Sequence, residues 1–149
     1  MDIISTLRKY LPRFKKVLEL GSKKGNDLKL LHEYYEVVAS EDEKIKTRFL
    51  KDEFIDIRVI VLDKITVDTH KKFDAIFSRN TLDNLSLLQI NESLKNQKNI
   101  LNKEGLIFHI LDDSKVEKNE VMVLVHENYE LLEEGTFDNN FYFLARILD

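Results

Sequence analysis

The sequence predicts an α/β domain: a mostly parallel seven-stranded sheet, covered by helices on both faces and closed by one antiparallel C-terminal hairpin strand. Three observations carry this. Short, near-continuous apolar runs alternate with segments of helical periodicity, which is how a parallel sheet buried on both faces reads. The first run, Val17-Leu18-Glu19-Leu20, enters a helix through a turn holding Gly21 and Gly25. Such a turn leaves backbone N–H groups open at the carboxyl end of the sheet, where ligands bind in open α/β folds. The last two runs are separated only by Asp138-Asn139-Asn140, too short for a crossover, so they pair antiparallel.

Taken in order, Ile3, Ile4, Leu7 and Leu11 share one face of a helix ending near Pro12. Residues 1–13 are expected to pack on the sheet or lid the site, ahead of a core over 14–149. After the first strand, Leu28, Leu30 and Leu31 resume at helical spacing in a helix over 26–32. Residues 35–40 form the second strand, stopped by Glu41-Asp42-Glu43, acids that suit the first turn of the next helix. That helix is expected to bury Ile45, Phe49 and Leu50. Residues 55–62 read as the third strand, closed by Asp63, and 73–78 as the fourth. A polar loop over 79–85 leads into a helix over 87–101, with Leu87, Leu88, Ile90, Leu94 and Leu101 expected on its buried face. Gly105 suits a helix-to-strand turn before the fifth strand, 106–111. A helix over 116–126 precedes the hairpin strands, 129–137 and 141–148. No repeat, linker or low-complexity stretch interrupts the chain, so residues 1–149 read as one domain.

Composition narrows the function. Of 149 residues, 34% are charged and the net charge is −4, which argues against a free-standing nucleic-acid binder with its basic footprint. There is no cysteine, which excludes disulfides, thiolate metal sites and a cysteine nucleophile. His32, His70, His109 and His126 lack metal-ligand spacing, so no metal is expected. The N-terminus carries charge early, and no stretch approaches the ~18 apolar residues of a membrane span. A cytoplasmic protein, monomeric or homodimeric and without a membrane segment, is the expectation.

Two ligand classes suit a glycine turn after the first strand. A dinucleotide needs Gly-x-Gly-x-x-Gly. The frame from Gly21 supplies Gly21, Lys23 and Asn26, so that reading fails on the turn. Glu41 follows Gly21 at about 20 residues, the distance of a ribose-binding acid in either class. Glu19 lies inside an apolar strand, where an unpaired carboxylate is costly, so it pairs with a ligand or a backbone donor. Glu41 and Asp63 each read two ways: as ligand contacts, or as a helix cap and a turn former. Asp74 reads as structural. Asp112-Asp113 reads first as a solvated loop and second as a substrate contact.

Val17-Leu18-Glu19-Leu20-Gly21-Ser22-Lys23-Lys24-Gly25 resembles the first motif of the class I S-adenosylmethionine-dependent methyltransferases, an acid, one residue, then spaced glycines. Phe73-Asp74-Ala75-Ile76-Phe77-Ser78 resembles their fourth-strand motif, and Asn80-Thr81-Leu82 the loop beside the sulfonium. The closing hairpin fits their reversed seventh strand. The resemblance covers nearly the whole chain and implies a Rossmann-like three-layer sandwich, with S-adenosylmethionine as cofactor and S-adenosylhomocysteine as product. It implies that Gly21 and Gly25 let the backbone approach the cofactor, with Ser22 between them in the binding set. Glu19 would meet the methionine amino end, Glu41 with Asp42 beside it the ribose, and Asp63 and Lys64 the adenine. Ser78 joins the binding set, and Ser78, Asn80 and Asp112 are the candidates to line an acceptor pocket. The chain departs from the motif at Lys23, which replaces its middle glycine. The Asn/Asp-Pro-Pro-Tyr/Phe motif of amide and adenine methylation is missing, since the only proline is Pro12; a small-molecule acceptor is the expectation. Lys23 and the lack of an evident acid–base pair leave two alternatives, a weakly active or inactive binding or scaffold protein and a subunit needing a partner.

Overall fold

The computed structural model describes residues 1–148. One sheet contains β1 (Lys16–Leu20), β2 (Glu36–Glu41), β3 (Arg58–Val61), β4 (Phe73–Arg79), β5 (Leu101–Asp112), β6 (Tyr129–Phe137) and β7 (Asn140–Ile147). Its order is β3-β2-β1-β4-β5-β7-β6. The first five strands pair in parallel, and β7 is inserted antiparallel between β5 and β6. The β6–β7 turn is made by Asp138 (φ 44°) and Asn139 (φ 63°), two residue types that tolerate the left-handed region a two-residue hairpin needs. Strand order reverses between β1 and β4, so a crevice opens at their carboxyl ends.

Helices are α1 (Ile3–Arg8), α2 (Asn26–His32), α3 (Lys44–Glu53), α4 (Leu87–Gln97) and α5 (Lys118–Asn128). The two-residue period of the strands divides the core between the faces of the sheet. Val17, Ala75, Phe77, Phe108 and Ile110 pack with α1, α2 and α3. Leu18, Leu20, Ile76, Ile107 and Leu111 pack with α4 and α5. The result is three layers, as expected. α1 begins on an Asp2 cap that accepts from Ile4 N and Ser5 N. It buries Ile3, Ile4 and Leu7 against the sheet, and among the described residues it lines neither cleft discussed below. Among the described residues, no helix is long and apolar enough to cross a membrane.

Four local expectations are corrected. In α3 the buried residues are Thr47 and Leu50, whereas Ile45 is 70% and Phe49 47% exposed. The inward row is Thr47, Leu50, Phe54, spaced i, i+3, i+7, with the Thr47 hydroxyl satisfied by Lys44 O. In α4, Leu88 is 79% exposed and the buried face is Ile90, Ser93, Leu94 and Gln97. A search for apolar residues misses a serine and a glutamine whose polar atoms are paired inside. The third strand starts only at Arg58, and Ile55 is exposed. Gly105 lies within β5, where register with β4 jumps from Phe73↔Leu101 to Ala75↔Leu106. A Cβ there would stand 2.8 Å from Asn102 O and 2.9 Å from Leu101 Cβ, so space, not a helix-terminal turn, requires the glycine.

Candidate functional site at the carboxyl ends of the strands

The turn from β1 into α2 is stitched to the end of β2. Ser22 N donates to Ser40 O (2.9 Å), Ser40 N donates to Ser22 Oγ (3.2 Å) and Ser40 Oγ donates to Glu19 O (2.7 Å). Gly21, Lys23 and Gly25 all have positive φ, at 63°, 53° and 88°. Gly21 also admits no side chain, because a Cβ would run into Thr81 Oγ1 and Cγ2. Lys23 adopts at some cost a conformation that glycine takes freely.

Two clefts adjoin this turn. The first, about 410 Å³, is walled by Gly21, Lys23, Lys24, Glu41, Asp42, Lys46, Phe49, Leu62, Lys64, Asn80, Thr81 and Asn84. Glu41 is buried at the tip of β2 and its Oε2 accepts from Lys23 N at 2.7 Å. Phe49 and Leu62 supply flat and branched apolar walls. The exposed face of α3 is thus the cleft face, which explains a phenylalanine turned away from the core. The second cleft, about 480 Å³, is more polar and is walled by Glu19, Gly21, Ser22, Lys23, Lys24, Asn26, Asp27 and Arg79. Arg79 Nε donates to Asp27 Oδ2 at 2.8 Å, tying β4 to the first turn of α2. Lys23 Nζ reaches across to donate to Arg79 O (3.1 Å) and Asn80 O (2.8 Å).

The electrostatics are unusual at two side chains. Burial pushes the Glu19 carboxyl up to about 8, with Asp27 and Glu41 adding to the rise against the Ser22 hydrogen bond and Lys23. Its Oε1 is buried without a hydrogen-bond partner. Burial also lowers the Lys23 ammonium, while Asp83, Glu41 and Asp27 oppose that effect. Asp42, by contrast, is held below its ordinary range by the hydrogen bond from Lys46, at 3.0 Å.

Of the sequence-predicted residues, the structure brings Gly21, Glu41, Asp42, Lys64 and Asn80 around the first cleft, and Glu19 and Ser22 around the second. Gly25 caps α2, and a Cβ on it would run into the Phe54 ring. Asp63 lies outside both walls; its Oδ1 accepts from Ile65 N (2.7 Å) and Thr66 N (3.0 Å), the turn-forming alternative, and Leu62 and Lys64 flank it in the wall. Asp112 likewise closes a turn, with Oδ1 accepting from Ser114 N and Oγ. Ser78 is corrected outright. It is fully buried on the α4 side of the sheet, 2.6 Å from His109 Nδ1, its neighbour in the β4–β5 register. His109 Nε2 lies 2.8 Å from Gln97 Oε1, Gln97 Nε2 donates to Ser93 Oγ, and Ser93 Oγ donates to Lys64 O. Since an amide oxygen only accepts, Nε2 carries the proton and the Ser78 hydroxyl donates to Nδ1. Burial drops His109 to about 3, so the chain is neutral. It braces the loop bearing Lys64 from beneath.

Sequence reasoning missed Phe49, Leu62, Asp83 and Arg79 as site residues. Asp83 is the most consequential: its buried Oδ2 accepts from Asn80 Nδ2 (3.1 Å) and Asp112 N (2.8 Å), binding the loop after β4 to the end of β5. The loop sequence Arg79-Asn80-Thr81-Leu82-Asp83-Asn84 signals polarity but not which of its polar groups turns inward. Among the described residues, no group of three or more His, Asp or Glu could hold a metal ion.

Comparison by sequence yields no matching family model and no matching curated protein. Comparison by structure is decisive for the fold. The PH0226 protein from Pyrococcus horikoshii OT3 superposes with a TM-score of 0.88 at 18% identity, over 98% of this chain and 88% of that one. An S-adenosylmethionine-dependent methyltransferase from Clostridium acetobutylicum ATCC 824 superposes with a TM-score of 0.86 at 11% identity, over 97% and 89%. The fold is that of the class I methyltransferases. The N-methyltransferase NodS from Bradyrhizobium japonicum WM9, in complex with S-adenosylhomocysteine, shares this methyltransferase fold with a TM-score of 0.81 at 16% identity, over 98% and 85%.

Proposed function

We propose that this chain is an S-adenosylmethionine-dependent methyltransferase acting on a small molecule by direct in-line transfer. The observation that carries the reading is Glu41. It is a buried carboxylate fixed by the Lys23 N–H through one oxygen, opening onto a cleft of nucleoside size. Two features fit the rest of the cofactor: Glu19 lines the adjoining cleft with an orphaned buried oxygen, and Gly21 leaves a cradle that any Cβ would fill. Glu41 would hold the ribose hydroxyls, Phe49 and Leu62 would sandwich the base, and Asp42 and Lys64 would border its edge. Glu19 would accept from an ammonium group. The bound cofactor supplies a methyl group already activated by a neutral thioether leaving group. The chain then has to bind, align and exclude water, which is mostly a matter of position. Asn80, held by Asp83 and by Asn140 Oδ1 (3.2 Å), would border the acceptor. A small acceptor accords with the absence of a basic surface balance, and NodS, of like fold, is itself an N-methyltransferase.

A second reading is favoured by one observation. The Lys23 ammonium spans the cleft to Arg79 O and Asn80 O, which suits a protein that holds a nucleoside yet transfers weakly, as a binding or scaffold protein does. Calorimetry with S-adenosylmethionine and S-adenosylhomocysteine tests the first reading. Micromolar binding that falls at least tenfold in Glu41→Ala, with the circular dichroism spectrum retained, is the expected result. A folded wild-type protein that binds neither ligand overturns it.

A further inference from the structure

The first and second clefts adjoin along the turn after β1. Gly21, Lys23 and Lys24 are common to both walls, and Asn80 and Thr81 belong to the first as Arg79 belongs to the second. The boundary is where Lys23 Nζ sits, on the Arg79 and Asn80 carbonyl oxygens. Lys23 lines both clefts, so a nucleoside seated in the first lies beside it. A ligand that fills both must pass it.

Resting on the cofactor reading above, we infer that Lys23 is a tethered cation that competes for this crossing and sets the charge preference of the site. It disfavours a positive charge at the 5′ position of a bound nucleoside relative to a neutral one. The two carbonyls form a cation-accepting pair, and the charges of Asp83, Glu41 and Asp27 favour a cation there against the opposing charge of Lys115; Lys23 supplies that cation from within the chain. A second positive charge has either to share that place or to displace the lysine. The backbone of the turn does not depend on the side chain. Lys23 N, not Nζ, holds Glu41, and φ at 53° is a conformation that glycine takes without strain. The ammonium can therefore be removed without loosening the carboxylate.

Lys23→Gly is the test, with Lys23→Met as a second variant that keeps the stem. Calorimetry is run with adenosine, S-adenosylhomocysteine and S-adenosylmethionine, the last two differing by one methyl group and the positive charge it places on sulfur; comparing each variant with wild type cancels the methyl. The expected result is a sulfonium-over-thioether ratio raised about tenfold in both variants, the size of a near charge pair in a half-solvated cleft, with adenosine still bound as the control for an intact cleft. An unchanged ratio with binding intact overturns the role of Lys23 and leaves the cofactor reading standing. No binding of any of the three ligands by wild type or variants overturns both.

Discussion

Replacing Glu19 with glutamine isolates one proton in the folding equilibrium. In the folded chain this carboxyl is 3% exposed and titrates near 8 because burial opposes its charge; in the unfolded chain it titrates near its ordinary value of 4.5. Between those values the folded state keeps the proton and the unfolded state releases it. The stability contribution is therefore fully present below about pH 4.5 and is lost as pH rises through 8. The slope is about 1.4 kcal/mol per pH unit inside the window. His109 acts in the opposite sense, with a folded value near 3 against 6.5 unfolded, so its slope offsets that of Glu19 between 4.5 and 6.5. From pH 6.5 to 8 Glu19 acts without that offset, and the wild-type protein should lose about 2 kcal/mol. Urea denaturation of wild type and Glu19→Gln across pH 5 to 8 measures this. Glutamine does not titrate, and every other group is common to both proteins. The expected outcome is a stability difference that widens in favour of the glutamine variant by about 2 kcal/mol over the upper interval. A difference that stays constant with pH refutes the reasoning, since Glu19 would then be ionised in the folded chain.

Two further outcomes follow from the packing of the turn and of the core beneath it. Gly25→Ala forces alanine to φ 88° and drives its Cβ into the Phe54 ring; a loss of about 3 kcal/mol, read as a thermal midpoint lowered by roughly 10 °C, is expected. Ser78→Ala leaves His109 Nδ1 buried without its donor, so stability should fall by about 1–3 kcal/mol, while nucleoside affinity stays within about twofold; the reverse pattern would put the Ser78 hydroxyl back in the site.

Helix phase shows where reading the sequence stops. Ile45, Phe49, Leu87 and Leu88 are apolar and near the expected rows, yet the structure leaves them exposed and buries Thr47, Ser93 and Gln97 instead. An apolar residue turned outward costs little, and a buried serine or glutamine costs little once its partners are in place. Neither condition is visible before the partners are assembled. Ser78 illustrates the same limit. Its place at the end of β4 is legible, but its direction depends on His109 lying opposite in β5, a pairing 31 residues away.

What the sequence alone determined is the layered α/β plan, with its glycine turn, its reversed final strand and the acids within β1, at the end of β2 and after β3. These are local matters: strand and helix periods, turn lengths and the backbone freedom of glycine act over a few residues. Only the tertiary structure decided which of those acids faces a cleft, that Asp63 and Asp112 close turns, and that Asp83 anchors the loop beside Asn80. It also decided that the Lys23 ammonium lies across the crevice. Those outcomes depend on burial and on hydrogen-bond partners far away in the chain, and a side chain acquires such partners only when the strands that carry them meet.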